Sequence, residues 1–309
     1  MSSKNQNINL KLLNEKGIKL SIKREDEIHP FISGNKYRKL KYNLTKAKEQ
    51  HCHTLLSFGG AYSNHISALS YAGKKHGFKT IGIIRGEELG QDFAHLLQTN
   101  PTLRFAHENG MQFKFVSREM YRKKEKSDFL QDLKFEFGDF YLIPEGGTNA
   151  LAVKGCQEIL TSDDTEFDYI CVSVGTGGTI SGLINSASER QTILGFPSLK
   201  GAFLQEIIEE KTNKPENWKL MHSYHFGGYA KINEILISFI NDFYQQTTIP
   251  LDPIYTGKMM FGIMDLIKKN FFERNSSILA IHTGGLQGIE GMNQRLIRKK
   301  LPLILDEKL

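Results

Sequence analysis

The stretch FISGNKYRKLKYN, Phe31 to Asn43, sets Lys36 directly behind Gly34-Asn35 and among Arg38, Lys39 and Lys41. At about 100° per residue, a helix starting near Lys36 gathers Tyr37, Leu40, Leu44 and Ala47 into one apolar stripe. Lys36 falls on the edge of that stripe, about 60° from its centre, whereas Arg38 and Lys39 point away from it and read as solvent-facing or, if a phosphate binds nearby, as lying on the phosphate's side. A lysine in a first helical turn against apolar surface is lowered in pKa by desolvation and by the positive end of the helix dipole. That is what a nucleophilic amine requires, because only the neutral form attacks a carbonyl.

A second signal is DYICVSVGTGGTISGLINSA, a β-branched run, the loop Gly175-Thr176-Gly177-Gly178-Thr179 and a helical pattern. Such a turn aims backbone N–H groups and a helix start at one point, which suits a phosphate. Ile180 stands where a dinucleotide fingerprint needs its last glycine, and Leu183 where a Walker loop needs lysine, so a phosphate monoester fits better than NAD or ATP. In LLSFGGAYSNHISALSYAG, Ser63, Asn64 and His65 crowd one helix start. Ser63 or Asn64 alone is an ordinary N-cap. Together the hydroxyl, the free N–H groups and the amide could grip a carboxylate and a phenolic oxygen. His65 has no metal partner at i+3 or i+4 and reads, taken alone, as a hydrogen-bonded interior ring. Tyr229 behind Gly227-Gly228, the run Tyr255-Thr256-Gly257-Lys258, and His282 to Gly288 are each, alone, packed turns. An interior lysine beside a phosphate cup points to pyridoxal 5'-phosphate, an aldehyde that a lysine holds as a Schiff base.

The ordered series GNKYRKL, GGAYSNH, PEGGTNAL, SVGTGGT, GGYAK, DPIYTGK and HTGG resembles the fold type II pyridoxal-phosphate enzymes, specifically the D-cysteine desulfhydrase and 1-aminocyclopropane-1-carboxylate (ACC) deaminase family, from about Leu20 to Met292. The resemblance implies a Schiff-base role for Lys36, which then moves the α-proton. It implies that Asn64 bonds the cofactor's ring oxygen, that Ser63, with its neighbours Asn64 and His65, binds the substrate, and that Gly175, Thr176, Gly177, Gly178 and Thr179 hold the phosphate. Tyr229 and Tyr255 would face the substrate, and Thr256 would meet the pyridine nitrogen. ACC deaminases resemble one another in having Glu at that last position; a threonine is the weaker electron sink, sufficient for β-elimination with a good leaving group. The expected activity is therefore release of sulfide, ammonia and pyruvate from a D-cysteine-like amino acid, with ACC deamination to 2-oxobutyrate as the alternative. A non-catalytic protein that keeps the phosphate cup is a further alternative. A homodimer is implied by the same resemblance.

Those side chains need a scaffold, and the scaffold is legible as an α/β pattern. Short apolar runs ending in glycine, HTLLSFGG, KTIGIIRG, YICVSVG and SILAIHTGG, alternate with helical segments, as strands of mostly parallel sheets do. Residues 1–42 with 153–309 are expected to form a larger cofactor-binding domain, and 43–152 a smaller mobile one. The 309 residues, 39% hydrophobic and 24% charged, suffice for both. The formal charge of +6 comes from short basic runs such as RLIRKK that lack interleaved aromatics, giving little support for nucleic acid. Three separated cysteines provide no disulfide framework and no metal knuckle. No run is long enough to span a membrane or resemble a signal peptide, so the expected setting is cytoplasmic and the expected partner a small amino acid.

Overall fold

A computed structural model describes residues 2–201, 203–213 and 216–306. Its strands are β1 (Asn5–Ile8), β2 (Lys19–Lys23), β3 (Thr54–Gly59), β4 (Lys79–Arg85), β5 (Met111–Val116), β6 (Tyr141–Ile143), β7 (Tyr169–Val174), β8 (Thr192–Pro197), β9 (Trp218–Leu220) and β10 (Ser277–Ile281). They form a six-stranded sheet, in the order β1-β2-β10-β7-β8-β9, and a four-stranded sheet, β5-β4-β3-β6. Only β1 runs antiparallel to its neighbour; every other pairing is parallel. The near-continuous apolar runs of β4 and β7 are buried along almost their whole length, because helices cover both faces of each sheet. This is the mostly parallel, helix-flanked α/β architecture expected from the strand-then-glycine pattern.

Strands β3 to β6 lie between residues 54 and 143, and the remaining strands on either side of that segment. The Asn35–Glu49 helix runs unbroken through residue 42. Its Leu40, Leu44 and Ala47 sit in the core of the four-stranded sheet, with Leu55, Ile66 and Leu69. The Lys36 amine therefore hangs from a helix seated on one sheet while the Gly175 loop leaves the other. Strands β3, β7 and β10 each run straight into a glycine loop, Gly59-Gly60, Gly175–Gly178 and Gly284-Gly285. These loops leave the carboxyl ends of parallel strands, where ligand clefts form in such sheets. Among the described residues, no helix is long and apolar enough to cross a membrane.

Candidate active site

The helix bearing Lys36 starts in a turn that only glycine permits. Gly34 has φ of +63°, and a Cβ there would lie 1.9 Å from the Thr283 carbonyl oxygen. The chain comes that close because the Asn35 N–H donates to the same oxygen at 3.3 Å. Thus the GNK motif is locked onto the HTGG loop. Lys36 Nζ donates to Asn35 Oδ1 at 3.0 Å, and Asn35 Nδ2 donates to Thr179 Oγ1 at 2.9 Å. One asparagine, which sequence reasoning treated only as part of a turn, joins the amine to the glycine loop. Burial, reinforced by the charge of Lys39, lowers the Lys36 pKa to about 7, so a large share of this amine is neutral near pH 7.

Arg38 and Lys39 do not face solvent as their helical phase suggests; both are buried. The reason is a second covering element. The Ala150–Cys156 helix lies across that side, approaching so closely that a Cβ on Gly155 would meet the Arg38 carbonyl oxygen at 2.0 Å. Arg38 forms a two-pronged bond to the buried Glu25 carboxylate, at 2.9 and 2.7 Å. Lys39 turns inward instead. Its Nζ donates to Thr148 Oγ1 at 3.0 Å, to the Gly146 carbonyl at 3.2 Å and to Thr176 Oγ1 at 3.4 Å. A buried cation thus stands on the Gly175–Thr179 loop, where Gly177 at φ +82° opens the Gly178–Ser186 helix. The spacing of Lys36 and Lys39, three residues and so one helix face, was the available signal.

Ser63 caps the Asn64–His76 helix, its hydroxyl oxygen accepting from the Ile66 N–H at 3.3 Å. The ordinary capping role is real, and it leaves the hydroxyl proton available to a ligand. The Asn64 amide faces the HTGG loop: a Cβ on Gly285 would lie 2.8 Å from Asn64 Nδ2. His65 is buried with Nε2 2.8 Å from Ser57 Oγ. Ser57 spends its one proton on the Ile143 carbonyl at 2.7 Å, so His65 donates from Nε2 and keeps Nδ1 as a bare acceptor. Nδ1 is buried without a partner among the described residues, against Gly147. Burial, then Lys36 and Lys39, hold the His65 pKa well below its ordinary value.

The two tyrosines meet with ring centroids 6.3 Å apart. Tyr255 packs on the glycine loop, 3.2 Å from where a Gly175 Cβ would stand. Burial raises the pKa of both phenols, Tyr255 the more, so each holds its proton at neutral pH. Tyr229 rides a loop in which Phe226, Gly227, Gly228 and Ala230 all have positive φ. Lys258, on the Thr256–Lys268 helix, holds that loop by donating to the His225 and Gly228 carbonyls at 2.9 and 2.8 Å. Thr256 is buried, and its hydroxyl donates to Asp252 Oδ2 at 2.8 Å. Asp252 and Lys258 lie inside the DPIYTGK motif, yet the sequence alone assigns neither a role of its own, although Asp252-Pro253 four residues before Thr256 is the signature of a side-chain-capped turn.

A lysine amine of lowered pKa, a glycine loop ending in a helix start and a buried cation beside that loop suit a phosphorylated aldehyde. The comparisons agree. The model for the pyridoxal-phosphate dependent enzyme family matches residues 8–284. The bifunctional D-cysteine desulfhydrase/1-aminocyclopropane-1-carboxylate deaminase of Arabidopsis thaliana, a mitochondrial protein, is 29% identical over 88% of this chain and 74% of its own length. The D-cysteine desulfhydrase of Serratia proteamaculans is 26% identical, covering 87% of each chain. Among solved structures, an ACC deaminase homologue superposes with a TM-score of 0.81 at 29% identity, over 96% of this chain and 94% of that one. The chain belongs to the pyridoxal-phosphate dependent enzyme family, as a lyase of fold type II whose cofactor is pyridoxal 5'-phosphate.

Proposed function

We propose that this lyase carries out β-elimination and deamination of a small amino acid, D-cysteine in the simplest case, taking up water and releasing sulfide, ammonia and pyruvate. When bound, the cofactor supplies a conjugated ring that accepts the electron pair left by a bond broken at the substrate's α-carbon. The chain's own groups do the rest. The Gly175–Thr179 loop and Lys39 hold the phosphate, and Asn64 orients the ring. The Ser63 hydroxyl and the N–H groups at its helix start bind the α-carboxylate, with His65 behind them. Lys36, with its pKa near neutrality, takes the α-proton. Tyr229 or Tyr255, both protonated, donates to the departing group. In this reading residues 43–152 form the smaller unit that closes over substrate, and the enzyme is a cytoplasmic homodimer.

The observation that carries the reading is a neutral hydroxyl, not a carboxylate, at position 256, which we place at the ring nitrogen. One detail favours ACC deamination as a second reading. Because the Thr256 proton is given to Asp252, its oxygen can only accept from the ring nitrogen, and a nitrogen that donates is protonated, the stronger sink that opening a cyclopropane needs. Supplying purified enzyme with D-cysteine, L-cysteine, β-chloroalanine and ACC separates the two. Pyruvate with sulfide from D-cysteine supports the first reading, 2-oxobutyrate from ACC the second, and inactivity toward all four overturns both.

A further inference from the structure

Arg85 closes β4, and the parallel register that pairs Gly59 with Ile84 brings it beside Gly60, at the mouth of the loop carrying Ser63. A Cβ on Gly60 would lie 3.7 Å from an Arg85 terminal nitrogen. The guanidinium carbon sits 5.6 Å from the ring centroid of Tyr121, a buried residue that props the arginine stem. Its charge lowers the Tyr229 phenol's pKa somewhat against the effect of burial, which puts the two groups within electrostatic reach of each other. Two acids nearby, Glu145 and Glu88, are engaged elsewhere. Glu145 takes the Tyr121 hydroxyl on Oε1 at 2.8 Å and Lys124 on Oε2 at 3.4 Å. Glu88, just beyond Gly86, pairs with Arg118 at 2.7 Å. Arg85 itself makes no salt bridge among the described residues. A guanidinium beside the carboxylate-binding helix start, with Glu145 and Glu88 both engaged elsewhere, is a vacant site for an anion.

We propose that Arg85 is the specificity-determining residue of the cleft, holding an anionic β-substituent of the substrate while the Ser63 helix start holds the α-carboxylate. The substrate class is then small amino acids whose side chain ends in a thiolate, sulfonate, carboxylate or phosphate. The proposal rests on the lyase reading above and narrows its substrate.

The test is binding of aspartate against alanine, neither of which carries a leaving group, read from the cofactor absorbance of the holoenzyme. Wild type should bind aspartate about 30-fold tighter, as a charge-assisted pair allows. Arg85→Gln should bring that ratio to about 2 or below, and Arg85→Lys should restore part of it without the fork geometry. The kcat/KM ratio of S-sulfocysteine over β-chloroalanine should fall in parallel, through KM. A wild-type ratio near 1 overturns the proposal. So does Arg85→Gln weakening aspartate and alanine equally, the signature of an α-carboxylate or purely structural role. If nothing is eliminated yet the binding ratio and its loss persist, the anion subsite stands and the elimination reading falls.

Discussion

The Thr256 hydroxyl donates to Asp252 Oδ2 at 2.8 Å, and the same carboxylate accepts the N–H groups of Ile254, Tyr255 and Thr256 at 2.8 to 2.9 Å. One buried side chain thus folds the start of a helix and fixes the direction of a hydroxyl proton. The two roles separate by substitution. Asp252→Ala strands three N–H groups and should cost about 2–4 kcal/mol of stability. Thr256→Val keeps all three but strands the Asp252 N–H, which donates to the Thr256 hydroxyl oxygen at 2.9 Å, and should cost about 1–2 kcal/mol, while removing the proposed link between carboxylate and ring nitrogen. Turnover should fall in both, but thermal unfolding should move clearly further for Asp252→Ala, which strands three N–H groups against one. Equal destabilisation would show that Thr256 is structural.

Lys36 makes stability depend on pH. Its folded pKa is lowered, to about 7 from an ordinary 10.5. Between those values the unfolded chain binds more protons than the folded one, so raising the pH stabilises the fold. The penalty is therefore fully present below about pH 7 and is relieved as pH climbs toward 10.5. For cofactor-free protein, Lys36→Met should melt above wild type at pH 7, with the gap shrinking by pH 10. A gap independent of pH would mean that the amine is not desolvated. With cofactor, the same variant should lack both turnover and the absorbance near about 410–430 nm.

Much of this arrangement was readable in advance, and the reasons differ by residue. Lys36, the Gly175–Thr179 loop and the Ser63-Asn64 helix start are local features, in which residue type and helical phase dictate geometry. The solvent-facing reading of Arg38 and Lys39 fails because phase against one apolar stripe presumes a helix with one packed face. The Ala150–Cys156 helix, more than a hundred residues later, covers the other. Similarly, Lys258 could be assigned only once the fold brought His225 and Gly228 across its amine. Long-range partners of charged side chains leave no periodic mark.

Lys39 supplies a discriminating test of the proposed phosphate cup. Its ammonium is buried among Thr148, Thr176 and the Gly146 carbonyl, with no carboxylate among those partners. Such a charge is best satisfied by an incoming anion. Lys39→Met should weaken pyridoxal 5'-phosphate binding to the apoenzyme by about 30-fold. Pyridoxal, which has no phosphate, should lose far less. Equal losses for the two compounds would place Lys39 in general packing, away from the phosphate.

The loop that presents Tyr229 holds two strained residues. Phe226 and Ala230 have φ of +53°, which costs side-chain-bearing residues about 1–2 kcal/mol each. The loop persists because Lys258, only 1% exposed, spans it from inside, joining His225 and Gly228 to the helix that begins one residue after Tyr255. Lys258 is thus a positioning residue that fixes the two phenols relative to each other. Lys258→Met keeps the apolar stem and removes both bonds. It should lower kcat by about 10-fold, since a misplaced acid loses general-acid efficiency, while leaving the cofactor spectrum intact. Ala230→Gly relieves strain without touching the amine, and should stabilise the protein by up to about 1 kcal/mol with little change in kcat. Should Lys258→Met turn over at the wild-type rate, Tyr229 would have no role that depends on its loop, and Tyr255 alone would remain as the proton donor.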